Sequence, residues 1–280
     1  MKTTLFLGKS ALGLVLGSLL AMSAHAVDTW TYTGVDANGA GVDTASAGAA
    51  SLATTGAYAT NNGTNGITGN WTVNTTSTPS STLQFYSGGG LGMGSDGTAT
   101  PNHAIDNNGT YTEGVLLSFS SSTILTGIDL GYISGDADIS VFRYTGSSAP
   151  TVNGTGASLA SMNTAGWQLV GNYADLTADN SVPYTYNLVN GATNGSSPTA
   201  GASSVGSSWW LITAYNTAYG TGTGLTQGDD YFKLLAVAGS ACTGDTTKCG
   251  GKKVPEPGSL ALASLALFGV FYSRRQFRKN

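Results

Sequence analysis

The side chains that could do chemistry in this sequence are mostly oxygen donors. Asp96, Asp106, Asn107 and Asn108 fall near one another, and Asp136 with Asp138, and Asp229 with Asp230, make two further pairs. Calcium takes clustered carboxylate and amide oxygens from loops, so Asp96, Asp106, Asn107, Asp136 and Asp138 form a candidate ligand set. Asp136 and Asp138 are two apart at the start of a strand, which puts both side chains on one side. None of these groups follows the EF-hand pattern. Aspartates that bond their own backbone in turns are the commoner use of such residues, and that reading stands beside the metal one.

Covalent and acid–base chemistry find less support. Nucleophilic catalysis needs a hydroxyl or thiol beside a base. Past the N-terminal segment the one histidine is His103, with Asp106 three residues on. A structural histidine bonded to backbone is the expectation there. Glycoside hydrolysis needs two carboxyl groups across a cleft, and Glu113 is the single glutamate between residues 27 and 241. No complete catalytic constellation emerges, so the expectation is a protein that is not an enzyme. Trp30, Trp71, Trp167, Trp209 and Trp210 could stack on sugars, with core packing the competing fate. Adjacent Trp209 and Trp210 point to opposite faces of a strand, which predicts one in the core and one open to solvent.

The elements that must position these residues read as short strands. Apolar clusters separated by Gly, Asn, Asp and Ser predict strands near 30–33, 71–73, 82–86, 114–119, 124–133, 138–144, 167–173, 209–215 and 231–237. Residues 35–69 carry few large apolar side chains and read as a long loop or flexible edge. Residues 88–97 read as turns, and 150–165 as room for one short helical turn. In 138–144, Ile139 and Val141 face one way while Phe142 and Tyr144 face the other, so this strand is expected between two layers. The fold class expected is all-β: an antiparallel, jelly-roll-like β-sandwich over residues 27–241.

Charge sharpens the picture. The 280-residue chain has a formal charge of −4, yet between residues 27 and 241 thirteen acids face two bases, Arg143 and Lys233. So acidic a body repels nucleic acid and anionic lipid, and suits cations or neutral polymers. Cys242 and Cys249 are the only cysteines. In an oxidising compartment they are expected to pair, closing a small loop worth about 2.5 kcal/mol by chain entropy. That loop and a Gly250-Gly251-Lys252-Lys253 stalk make up residues 242–253.

Both ends read as targeting segments. Lys2 and Lys9, an apolar stretch from Leu12 to Leu20, and Ala24-His25-Ala26 have the form of a signal peptide, a helix over residues 1–26 cut by signal peptidase after Ala26. At the other end, Val254, Pro255, Glu256 and Pro257 precede a run from Leu260 to Tyr272 that is apolar but for Ser264 and Gly269. A helix there spans about 20 Å, a short transmembrane segment that holds the chain only weakly. Arg274, Arg275 and Arg278 then mark a cytoplasmic anchor. The two prolines keep the peptide before the run extended.

Residues 254–280 resemble the PEP-CTERM sorting signal that exosortases of Gram-negative bacteria recognise. The resemblance implies cleavage near the tripeptide, loss of the helix, and release or attachment at the cell surface. The body is similar to exosortase-dependent surface proteins in 101–107, 115–119, 136–141, 167–173, 208–212 and 229–235. It implies a non-catalytic surface or exopolysaccharide-matrix protein that touches the membrane only transiently, through its C-terminal helix. It implies no established reaction; no cofactor is expected, with calcium the one ion the residues suggest. A carbohydrate-binding sandwich is the alternative, and a secreted hydrolase the third.

Overall fold

The computed structural model describes residues 27–61, 66–73, 82–93, 103–178, 186–187, 205–242 and 249. Thirteen strands appear among them, all joined in one connected sheet. In chain order they are β1 (Asp28–Val35), β2 (Gly41–Ala45), β3 (Leu52–Asn61), β4 (Ile67–Val73), β5 (Leu83–Tyr86), β6 (Gly90–Met93), β7 (Ile105–Asp106), β8 (Tyr111–Ile133), β9 (Ile139–Tyr144), β10 (Trp167–Tyr173), β11 (Tyr186–Asn187), β12 (Ser207–Ala214) and β13 (Tyr231–Ala241). One short helix, α1 (Leu159–Thr164), is N-capped by Ser158, whose side chain accepts from the Ser161 amide. It falls where the sequence leaves room for a helical turn.

The all-β, antiparallel expectation holds: every strand pair is antiparallel. The hydrogen bonding closes a ring of five strands, β8, β3, β2, β1 and β13, back to β8. β12, β9 and β10 extend it from β8, and β6 and β5 from β13. A purely antiparallel ring needs an even number of strands. Five close here because β8 reverses and is used twice. Its first half pairs β3, from Leu52 opposite Phe119 to Thr60 opposite Tyr111. Its second half pairs β13, from Ala241 opposite Thr123 to Phe232 opposite Ile133. The reversal falls at Ser120, Ser121 and Ser122. There β12 passes from Ser207 opposite Thr123 to Trp209 opposite Ser118, so Ser208 alone faces residues 119–122. Sequence reading separates 114–119 from 124–133. The structure joins them, because this bulge bends the chain without ending its pairing.

Two regions differ more. Residues 35–69 are not a loop: they hold β2, β3 and the start of β4. β3 is built of small residues because it lies against its neighbours on both faces, with Ala57 and Ala59 fully buried. Small side chains carry little strand signal, which is why periodicity misses them. The glycine-dense 88–97 stretch likewise contains β6. A Cβ on Gly90 would sit 2.3 Å from the Leu234 carbonyl oxygen, and one on Gly92 1.8 Å from that of His103. The expected turn is there too, at 87–89 between β5 and β6 with Gly88 at φ 78°, while Gly90 and Gly92 serve close backbone contact.

The core has two parts. The larger fills the ring and the inner face of its extension, with Trp30, Phe119, Val141, Trp210, Ile212 and Phe232 among its members. The smaller lies on the outer face, with Trp71, Phe142, Trp167, Trp209, Leu211 and Tyr219. β9 and β12 alternate between them, as expected for a strand between layers. The five tryptophans are at most 3% exposed. Trp209 is therefore not the solvent-facing partner of Trp210: the outer core covers it. None of the five offers a face on which a sugar could stack.

Candidate functional site

The strand directions gather aspartates at one end of the body. β8 ends at Ile133, and the turn through Gly135, at φ 76°, leads to Asp136 and Asp138 before β9. β10 runs to the same end and is followed by Asp175, also in the left-handed region at φ 54°. The segment after β12 returns through Thr226 to Asp229 and Asp230, which immediately precede β13, and Asp136 bridges Asp230 directly. Asn107, just past β7, completes the group.

Oxygens of Asp136, Asp138 and Asp175 lie within 4.8 Å of one another, and so do oxygens of Asp136, Asp229 and Asp230. Two calcium–oxygen bonds of about 2.4 Å span that distance, so each trio could share one ion. Asp138 and Asp230 are fully buried, Asp136 is half-buried, and Asp175 and Asp229 are exposed. The cluster thus opens outward from a buried floor.

The floor is held by backbone and amide groups. The Asp138 amide donates to Asp230 Oδ1 at 2.6 Å. Asp138 Oδ1 accepts from the Asp175 amide at 2.8 Å, and Oδ2 from the Thr226 amide at 2.7 Å. Asn107 Nδ2 donates to the Tyr215 carbonyl at 2.9 Å and to Asp230 Oδ2. Asn107 Oδ1 accepts from the Gly228 and Asp230 amides at 3.1 and 3.2 Å. The Thr226 hydroxyl lies 3.2 Å from Asp136 Oδ2 and 2.9 Å from Asp229 Oδ1.

Electrostatics set these carboxyls apart. Burial, with the charges of Asp138, Asp136 and Asp229, pushes Asp230 up to about 9. Burial, opposed by its two amide donors, raises Asp138 to about 6. The charges acting on both are other aspartates. The two bases of the body are engaged elsewhere: Lys233 Nζ lies 3.8 Å from the Tyr132 ring centre and 4.7 Å from that of Tyr86, and Arg143 donates to Gln168 Oε1. Asp230 thus keeps its proton at neutral pH, and a cation bound there would have to displace it.

The candidate ligands of the sequence are thus partly brought together. Asp136, Asp138 and Asn107 meet. Asp106 does not join them in either trio: its Oδ1 accepts from the Asn108 amide, the turn use of aspartate, while its own amide donates to Glu113 Oε2. Asp96 lies outside the described residues. Asp175 and Thr226 escape sequence reading, because their partners are 37 and 88 residues away. Position offers the one usable signal: Asp175 follows a strand end as Asp138 precedes a strand start. His103 stacks on Tyr86, with ring centres 5.4 Å apart. Cys242 and Cys249 are bonded as expected. No helix among the described residues is long and apolar enough to cross a membrane. Val254, Pro255, Glu256, Pro257, Arg274, Arg275 and Arg278 lie outside those residues, as does the segment up to Ala26.

The family model of the PEP-CTERM protein-sorting motif matches residues 253–276. It takes in the Pro-Glu-Pro tripeptide, the apolar run, Arg274 and Arg275, and stops short of Arg278. No curated protein and no solved structure matches the chain.

Proposed function

We propose that this chain is a non-catalytic protein of the bacterial cell surface or exopolysaccharide matrix, delivered there by an exosortase. The observation that carries the reading is the PEP-CTERM motif at residues 253–276, which implies export, exosortase processing and a cell-surface or extracellular destination. A Gram-negative host, signal-peptidase cleavage after Ala26 and a transient C-terminal membrane helix belong to the same reading. The non-catalytic part is supported by a body with one histidine, engaged in a ring stack, and one glutamate. We read that body as a sandwich-like scaffold, since a core lies on either face of β9 and β12. The carbohydrate-binding alternative loses its tryptophan argument, because all five are buried. Mass spectrometry of the C-terminus in normal and exosortase-deleted cells tests the delivery. A tail cut near Pro255 only where the exosortase is present is expected; an intact tail in both strains refutes it.

A second reading concerns the aspartates. The convergence of Asp136, Asp138, Asp175, Asp229 and Asp230 favours a structural calcium ion that stabilises the body outside the cell. Thermal unfolding in excess calcium and in EDTA tests it, and identical midpoints exclude it.

A further inference from the structure

Three Asn-Gly steps have both residues among those described: Asn38-Gly39, Asn108-Gly109 and Asn153-Gly154. Asparagine before glycine is chemically exposed. With no Cβ on the following residue, its amide nitrogen can swing onto the asparagine Cγ. That attack needs the glycine N–H free, because a hydrogen bond it donates holds both the proton and the direction of the nitrogen.

Two of the three steps are tied down. The Gly39 amide donates to the Asp36 carbonyl at 3.0 Å, and the Asp36 carboxylate accepts from the Asn38 and Ala40 amides on either side. The Gly154 amide donates to the carbonyl of Trp71, a member of the outer core, at 2.8 Å. Gly109 differs. Its amide donates to no group among the described residues. It turns at φ 73° between β7 and β8, it is exposed, and a Cβ there would meet nothing within 4 Å. Asn108 is half-buried, and its backbone amide is held by Asp106 Oδ1 at 3.0 Å.

We propose that Asn108 is a site of spontaneous deamidation, which adds a carboxylate to the aspartate end of the body. The Gly109 nitrogen gives up its proton and attacks Asn108 Cγ. The Cγ–Nδ2 bond breaks, and Nδ2 takes a proton and leaves as ammonia. Water then opens the five-membered imide. Addition at Cγ yields aspartate; addition at the main-chain carbonyl yields isoaspartate. In both cases the Gly109 nitrogen recovers its proton, so one water is consumed and one ammonia released. The place gives the change weight. Asn107, the preceding residue, holds Asp230 through its side chain, and Asp106 lies opposite Tyr231 at the start of β13. The aspartate product brings a new negative charge one residue from that contact, and the isoaspartate product also lengthens the main chain by one carbon before β8. The inference rests on neither the sorting nor the calcium reading.

The full chain, kept folded in mild detergent and digested at intervals, tests this. Mass spectrometry follows conversion at positions 38, 108 and 153, and chromatography separates the two products. Conversion at 108 is expected to be at least about fivefold faster than at the other two, the factor set by a hydrogen bond of about 1 kcal/mol. In urea all three amides are free, and the three rates are expected to converge. Equal rates in the folded chain, or a slower rate at 108, overturn the proposal. A lead at 108 that persists undiminished in urea overturns it too, because local sequence and not the fold would then set the rate.

Discussion

The backbone amide of Asp138 donates to Asp230 Oδ1 at 2.6 Å, so two buried carboxyl groups share one floor. Both hold their protons more tightly in the fold than their ordinary value of 3.8 would give: Asp138 to about 6, Asp230 to about 9. The sign of the consequence follows from proton linkage. A raised carboxyl contributes stability that is complete below the unfolded value and is lost as pH rises through the folded one. Calcium-free protein is therefore expected to lose thermal stability from pH 5 to pH 9. Calcium binds the ionised form and releases protons, so its stabilisation is expected to grow over the same range. Scanning calorimetry at several pH values, with calcium and with EDTA, measures both slopes. A calcium-free midpoint independent of pH would contradict the raised carboxyls.

Asp136 belongs to both oxygen trios, and its charge raises both Asp138 and Asp230. Asp136→Asn removes that charge and keeps the size of the side chain. The Thr226 hydroxyl can turn to accept from the new amide. The expected result is a shallower calcium-free pH slope together with a weaker calcium shift. Urea titrations of the variant and the parent at pH 5 and pH 8, with calcium and with EDTA, decide it. An unchanged calcium shift would take Asp136 out of the site.

How much of this could be read from residues alone depended on side-chain size and chain distance. The strands around Val141 and Trp210 announce themselves because bulky residues alternate between two cores, and the one around Phe232 because its apolar residues cluster. β3 and β6 do not, since Ala57, Ala59, Gly90 and Gly92 were selected for close approach and carry no periodic signal. The reversal of β8 is equally silent: Ser120, Ser121 and Ser122 read as a gap between strands, although pairing passes through them. At the site, Asp136 and Asp138 are visible as a local pair. Asp175, Asp229 and Asp230 join them only through the direction in which β10 and β13 run. The sorting motif was the most legible feature, because a linear peptide read by another enzyme must carry its signal in local order.

Trp210 ties the start of β12 to the reversal of β8. Its indole N–H faces the Thr123 carbonyl at 3.2 Å and the Ser207 carbonyl at 3.1 Å, and its ring is fully buried. Trp210→Ala is expected to cost about 3–5 kcal/mol, through a large cavity and two carbonyls left without that donor. Trp210→Phe restores most of the volume but not the N–H, and is expected to recover only part of the loss. Urea unfolding of the purified body with its disulfide intact measures both. Full recovery by phenylalanine would show that packing alone matters here.

Gly206 is glycine because the disulfide lies against it. A Cβ there would stand 2.5 Å from Cys242 Cβ and 2.7 Å from Ser122 Oγ, with Cys242 Sγ at 2.9 Å. No left-handed backbone is involved, so the constraint is space. Cys242 is held by the hydrogen bond from its amide to the Ser122 carbonyl and by its link to Cys249, and cannot retreat without shifting the exit of the chain. Gly206→Ala is expected to destabilise the oxidised body by about 1–3 kcal/mol, the usual cost of overpacking. It is also expected to leave the calcium shift unchanged, because the aspartates lie at the other end of β13. Paired calcium and EDTA melts of this variant read both effects at once. A lost calcium shift would mean that the two ends of the body are coupled through β13 rather than independent.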